Sequence, residues 1–294
     1  MKNATFQNCC SNRISYILMT KNRADKLREA LSSCREYKRF DDELIVIDGA
    51  STDNTQNVVK DFSDIIDIFI SEPDINGPEA LNKGFLLSRG KYIKPLQDDD
   101  TFYKEALEQA YQVMESNPEV DLLVCGGVRE VDGRTVNVYI RPGNKFGVSV
   151  DDYFQNRKQY PLSGCGLFFR RNLLNTVGLF EADRPFPDLG FILRSIYMKN
   201  NVRFCRINMF YHKIRDDSIT RINLNRYNAE CTELLNRYCS ENFKREYFRK
   251  KRFSYQLASR LYSLLILSFY KLLTKSHDLI EEQTKEPQWD GGFS

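Results

Sequence analysis

The chain has 294 residues, 41% hydrophobic, 28% charged and 13% aromatic, which supplies a full core and excludes a disordered or fibrous polypeptide. Basic residues number 43 and acidic ones 40, so the net charge of +3 is too near balance to indicate a nucleic-acid partner. The eight cysteines show no CxxC pair and no regular framework, and they read as reduced, mostly buried thiols in a cytoplasmic protein.

The N-terminal MKNATFQNCCSNR lacks the apolar core of an export signal. In chain order, four short apolar runs then alternate with helical patterns: ISYILMT (14–20), ELIVIDG (43–49), IIDIFIS (65–71) and KYIKPLQ (91–97). Leu27, Ala30, Leu31 and Cys34 recur at helical spacing between the first two. Ser51, Thr52 and Asp53 offer caps for a second helix running to about Phe62. Ala80, Leu81, Gly84, Phe85 and Leu87 mark a third, ended by Gly90. This βαβαβαβ order predicts an α/β fold with a Rossmann-like, mainly parallel open sheet. Ligands of such sheets bind beyond the carboxyl ends of the strands, which places Thr20, Asn22 and Arg23, then Asp48, then Asp98, Asp99 and Asp100 along one rim. Three consecutive aspartates at a strand end need a counter-charge, which a divalent cation and the diphosphate it carries would supply.

A helix over about 103–116 follows. Residues 121–140 read as two strands joined at Asp132–Gly133. SGCGLFFRR (163–171) predicts a strand, followed by a short helix ending at Gly178, a helix starting near Asp188, and the strands VRFCRI and MFYHK. These would extend the parallel half as a mixed sheet. From about Asn223 the chain turns helical and basic, and Leu257, Leu261, Leu264, Leu265, Phe269 and Leu272 give it an amphipathic face. Its longest apolar run, LYSLLILSFYKLL, is too short and too interrupted for a spanning helix. The expected organisation is a catalytic domain over 1–220 and a helical appendage over 221–294.

The ordered set SYILMTKNR, ELIVIDGASTDNT, SEPDINGPEALNKGFLLSRGKYI, QDDD and SGCGLFFRRNLLNTVGLFEADRPFPDLGFILR resembles the family 2 glycosyltransferases, inverting GT-A-fold enzymes that use nucleotide sugars. The resemblance covers residues 14 to about 220. It implies a GT-A catalytic domain that moves a sugar from a nucleotide-sugar donor to a polysaccharide or lipid-linked saccharide, assisted by Mn²⁺ or Mg²⁺. Thr20, Asn22 and Arg23 would border the nucleotide, and Asp48 would accept a base N–H, which favours uracil. Asn82 and Lys83 would lie near the ribose or diphosphate.

With Gln97 as the first position of the aspartate pattern, Asp99 is the metal ligand, Asp98 lies toward the ribose and Asp100 supports the site. With Asp98 and Asp100 as a DxD pair, the roles shift, and both registers stay open. His212 lies where relatives place a metal-binding or basic residue, and Arg215 could contact phosphate. The family's acidic pair is reduced here to Asp188 by Pro187, so Asp188 is the general base, with Glu181 and Asp183 as alternatives.

Gly164 and Gly166 either admit sugar to the backbone or permit close packing. The basic appendage suggests contact with an anionic membrane surface, peripheral on its inner face, or with a second subunit in a homodimer. Two further classes are a sugar nucleotidyltransferase, which TKNRADK fits poorly as a triphosphate loop, and a catalytically impaired binding or assembly subunit.

Overall fold

Seven consecutive residues, Ile14–Thr20, form β1, and all but Met19 are buried, as expected of a strand covered on both faces. The computed structural model describes residues 13–131, 133–138, 148–156, 164–184, 186–214, 224–246 and 249. β1 is flanked in parallel by β2 (Glu43–Asp48) and β4 (Tyr92–Gln97), and β2 pairs in parallel with β3 (Ile68–Ser71). The crossovers are α1 (Ala24–Tyr37), α2 (Thr55–Asp61) and α3 (Gly77–Leu87). α1 turns Ala24, Leu27, Ala30, Leu31, Cys34 and Tyr37 inward, the face expected from the spacing. α3 starts where Asn76 accepts from the Glu79 N–H at 3.1 Å while Glu79 accepts from the Ile75 N–H at 2.7 Å, with Pro78 in its first turn.

The remaining strands are β5 (Asp100–Phe102), β6 (Leu122–Val131), β7 (Arg134–Val138), β8 (Leu167–Arg170) and β9 (Val202–Ile214). They complete one sheet in the order β3-β2-β1-β4-β8-β6-β9-β5, with β7 beside the far half of β6. β8 runs antiparallel to β4 and β6, and β9 runs parallel to β6. The helices of this half are α4 (Lys104–Ser116), α5 (Val150–Asn156), α6 (Leu173–Val177), α7 (Pro187–Tyr197) and α8 (Leu224–Tyr238). On one side of the sheet Phe85, Phe169, Phe180 and Phe191 meet edge-on or tilted at 5.1–5.7 Å between ring centroids. Each such buried ring contributes on the order of 2–3 kcal/mol through the area it removes from water.

Four local expectations change. α2 begins at Thr55 because the residues proposed as its caps are used elsewhere, with Asp53 accepting from the Ala24 N–H at the start of α1 as well as from Thr55. β3 loses its first three residues to turns in which Ile65 and Ile66 donate to the Phe62 carbonyl. The apolar runs 202–207 and 209–213 form one strand, bent by a register shift opposite Cys125, Gly126 and Gly127, so a bulge does what a break was expected to do. Asp100–Phe102 forms a short strand ahead of α4, where none was expected, because β9 offers it an antiparallel partner from far along the chain.

By contact density the chain forms two units, Met1–Cys239 and Ser240–Ser294. In the first, α8 is tied to α7 and the segment before it: Arg184 pairs with Glu233 at 2.5 Å, Glu230 accepts the Phe186 N–H at 3.1 Å, and the rings of Tyr197 and Tyr238 lie 5.1 Å apart. In the second, residues 241–246 are helical, with Phe243 N–H donating to the Ser240 hydroxyl. Most of the basic amphipathic stretch lies outside the described residues. No helix among the described residues is long and apolar enough to cross a membrane.

Candidate active site

The carboxyl ends of β1, β2 and β4 and the β5–β9 corner bring together three small polar clusters. The first centres on Asp98. Thr20 Oγ1 donates to its carboxylate at 2.9 Å, and the Arg23 guanidinium reaches Asp98 at 3.0 Å and Asp99 at 3.1 Å. Burial raises the Asp98 pKa, opposed by the Thr20 hydrogen bond and the Arg23 charge. Arg23 is thus the counter-charge for two of the three aspartates, a role the sequence reading gave to a cation.

The second cluster surrounds Asp48, which is fully buried. Its carboxylate accepts from the Ser51 N–H at 3.1–3.2 Å, from the Ser51 hydroxyl, and from the Ser71 hydroxyl at 2.6 Å. Asn22 closes the loop: its N–H donates to Ser51 Oγ at 2.7 Å and its Oδ1 accepts from the Thr52 N–H at 2.8 Å. Asn22 and Ala50 both have left-handed backbones, with φ of 51° and 57°. Such conformations cost about 1–3 kcal/mol each and persist where the surroundings impose them.

The third cluster joins Asp100, His212 and Cys165. Asp100 and His212 are direct cross-strand partners on β5 and β9, with His212 Nδ1 2.5 Å from Asp100 Oδ1. Cys165, in the single turn Gly164–Gly166 that precedes β8, donates its S–H to Asp100 Oδ2 at 2.6 Å. Two of the three expected cation ligands therefore meet, Cys165 joins them, and Asp99 turns to Arg23. Their oxygen, nitrogen and sulfur atoms all lie within 4.8 Å of one another, a donor set that fits a divalent cation.

Beneath this cluster lies Lys94, which the sequence reading passed over. It is fully buried, donates to the Pro95 carbonyl at 2.9 Å and the Cys165 carbonyl at 2.6 Å, and sits 4.3 Å from the centre of the Phe102 ring. Burial pulls its pKa down to about 8. A lone charge inside the buried run YIKPLQ was the available signal.

Asp188 stands in the first turn of α7, whose N-cap is Phe186, so it is not the cap residue. Part of its surface stays open while its carboxyl is packed deep among protein atoms. Burial raises its pKa, opposed by hydrogen bonds from the backbone N–H groups of Leu189, Asp188 and Gly164 and by the Arg129 charge. A methyl placed on Gly164 would lie 3.6 Å from Asp188 Cβ, 3.7 Å from its Oδ2 and 3.8 Å from Gln97 Nε2. Asp188 and Gln97, at the end of β4, therefore border the same small space above Gly164.

The alternative bases have other occupations or settings. Glu181 pairs with Arg184, Arg194 and Arg237, while Asp183 is exposed. Asn82 exchanges two 2.9 Å hydrogen bonds with the N–H and C=O of Phe180, fastening α3 to the segment before α7. Lys83 bonds the Pro73 carbonyl and Glu72, each at 3.0 Å. Arg215 lies outside the described residues.

The family model described as Glycosyl transferase family 2 matches residues 15–178. An uncharacterized glycosyltransferase of Rickettsia typhi is 28% identical over 210 residues, 67% of this chain and 64% of that protein. The poly(ribitol-phosphate) beta-N-acetylglucosaminyltransferase TarP of Staphylococcus aureus is 30% identical over 161 residues, 53% of this chain and 48% of TarP. The chain thus spans less than two thirds of either relative. Among solved structures, residues 1–349 of S. aureus TarS in complex with UDP-GlcNAc superpose with a TM-score of 0.58 at 20% identity, covering 70% of this chain and 60% of that one. The likeness establishes a GT-A fold.

Proposed function

The chain belongs to glycosyl transferase family 2, and on that premise we propose that it transfers a sugar from a UDP-sugar to a polysaccharide or lipid-linked saccharide with inversion at the anomeric carbon. Asp188 is the general base. It takes the proton of the acceptor hydroxyl as that oxygen bonds to the anomeric carbon and the bond to the diphosphate breaks, releasing UDP. The observation that carries this reading is the placement of Asp188 beside Gly164 and Gln97, at the end of the same sheet rim that holds the carboxylates. Its raised pKa makes it a better proton acceptor once ionised, worth about 10² to 10⁴ in rate for a positioned base.

The donor lies along the rim formed by Thr20, Asn22, Arg23, Asp48 and Asp98, with Asn82, Lys83 and Arg215 as outlying contacts. Asp48 reads an imide N–H of the base, and a base entering there takes the place of a serine hydroxyl on its carboxylate. Arg23 offsets Asp98 and Asp99, which lets a diphosphate approach an otherwise acidic rim. Asp100 and His212 would hold the cation, while Asp99 faces Arg23. A bound Mn²⁺ or Mg²⁺ would neutralise charge developing on the departing diphosphate. The name of TarP and the UDP-GlcNAc held by TarS support a UDP-sugar and a polymer acceptor. The basic C-terminal stretch brings the protein to an anionic membrane surface.

The test is a thermal-shift screen of nucleoside diphosphates and nucleotide sugars with and without Mn²⁺, since a ligand of the native state raises its melting temperature. UDP and a UDP-sugar should stabilise the protein in the presence of Mn²⁺. Equal indifference to all nucleotides would overturn the reading.

A further inference from the structure

We infer that Cys165 is a third protein ligand of the cation site, and that Asp100, Cys165 and His212 select a borderline-soft cation of the zinc class over Mg²⁺. The inference rests on the reading above that Asp100 and His212 hold the cation, and it deepens that reading by changing which ion the site prefers.

Three separate elements deliver the ligands. Asp100 is on β5, His212 opposite it on β9, and Cys165 in the turn before β8. Among the described residues this is the one group of three or more His, Cys, Asp or Glu side chains whose ligand atoms lie close enough to share an ion. The 4.8 Å span is close to what one cation bridges with bonds of about 2.0–2.3 Å.

The thiol is held in place. Its residue is buried, its carbonyl is fixed by the Lys94 ammonium at 2.6 Å, and Gly166 beside it fits against the backbone of Cys125. Its S–H already points at Asp100 Oδ2. Cys34 in the core also has a polar partner, the Tyr37 hydroxyl at 3.0 Å, but among the described residues it belongs to no such group of ligand atoms. Access is open on one side, because the Asp100 side chain is wholly buried while the His212 ring is partly exposed.

Chemistry then sets the preference. Mg²⁺ takes near-octahedral oxygen ligands and rarely a thiolate, whereas a carboxylate, imidazole and thiolate together suit Zn²⁺ or Co²⁺. On binding, the cation replaces the thiol proton, a metal–sulfur bond forms, and one proton leaves to solvent.

The experiment titrates the reduced full chain with Co²⁺ and records its absorption. Wild-type protein should develop a near-ultraviolet thiolate-to-cobalt charge-transfer band at one equivalent. Zn²⁺ should abolish that band stoichiometrically, and Mg²⁺ in hundredfold excess should leave it. The band should vanish in Cys165→Ser and Cys165→Ala and persist in Cys205→Ser, with at least a tenfold loss of Co²⁺ affinity in the two Cys165 variants. Wild-type protein without the band, the band retained in both Cys165 variants, or displacement of Co²⁺ by Mg²⁺ would each overturn the inference. Because wild-type spectra alone can refute it, the test survives misfolding of a variant. UDP-sugar binding with Mn²⁺ but no charge-transfer band would sink only this inference. The band without any nucleotide binding would sink only the functional reading.

Discussion

Replacing each glycine of the Gly164–Cys165–Gly166 turn by alanine should separate packing from chemistry. A methyl on Gly166 would lie 2.2 Å from the Cys125 carbonyl oxygen, 1.2 Å short of the 3.4 Å at which ordinary contact begins. The obstacle is main chain on β6, held by the ladder that pairs Leu122, Leu123 and Val124 with β8, so no side chain can swing aside. Overpacking costs about 1–3 kcal/mol where neighbours yield, and here about 3 kcal/mol or more is expected. With a urea dependence of about 3 kcal/mol per molar, the midpoint of Gly166→Ala should fall by roughly 1 M. In Gly164→Ala the same methyl meets Asp188 and Gln97 at ordinary distances of 3.6–3.8 Å. Its stability should stay within about 0.5 kcal/mol of wild type. Its transfer activity should nonetheless drop about tenfold or more, because the methyl fills the space those residues border. Urea unfolding followed by circular dichroism, beside a nucleoside diphosphate release assay, reads both. A Gly166→Ala protein with the wild-type midpoint, or equal destabilisation of the two variants, would refute the assignment.

Asp188→Asn should lower transfer about 10² to 10⁴-fold without loss of stability at pH 7.5. A carboxyl whose pKa is raised by folding stabilises the native state below its unfolded pKa, and that contribution is lost as pH rises through the folded one, so removing it costs nothing at neutral pH. Near-normal transfer would exclude Asp188 as the base. Glu230, pushed up to about 7 by burial and with its Oε1 lacking a partner among the described residues, carries the same sign. Between about pH 4.5 and 7 the wild type should lose stability relative to Glu230→Gln, by about 3 kcal/mol at the upper end, and parallel pH profiles in urea would contradict this. Asn82→Ala strands the N–H and C=O of Phe180 and should cost about 2 kcal/mol. A weakened donor affinity with an unchanged urea midpoint would instead place Asn82 at the nucleotide.

The parallel half was legible because buried strands and amphipathic crossovers leave period-specific apolar patterns, and β1, β2, β4 and α1 lie close to where those patterns put them. The rim followed from the strand order alone. What escaped was set by long-range pairing. β5 is three residues long, and only β9 makes it a strand, so the partnership of Asp100 with His212 had no local trace. Arg23 as the counter-charge of Asp98 and Asp99 depends on distances across 75 residues, which charge counting cannot supply. Cys165 looked like one apolar thiol among eight until the fold aimed it at a carboxylate. The two glycines beside it looked equivalent, and only the course of β6 behind one and α7 before the other gives them different work.

The most direct measurement incubates purified full chain with UDP-sugars and Mn²⁺, with and without a polysaccharide or lipid-linked saccharide acceptor, and resolves the nucleotide products by chromatography. Inverting transfer predicts UDP as the nucleotide product, slow without acceptor and faster with it, and a β-linked sugar from an α-linked donor. Cleavage of the donor to UMP and sugar 1-phosphate, or UDP-sugars that remain intact and unbound under every condition, would contradict it.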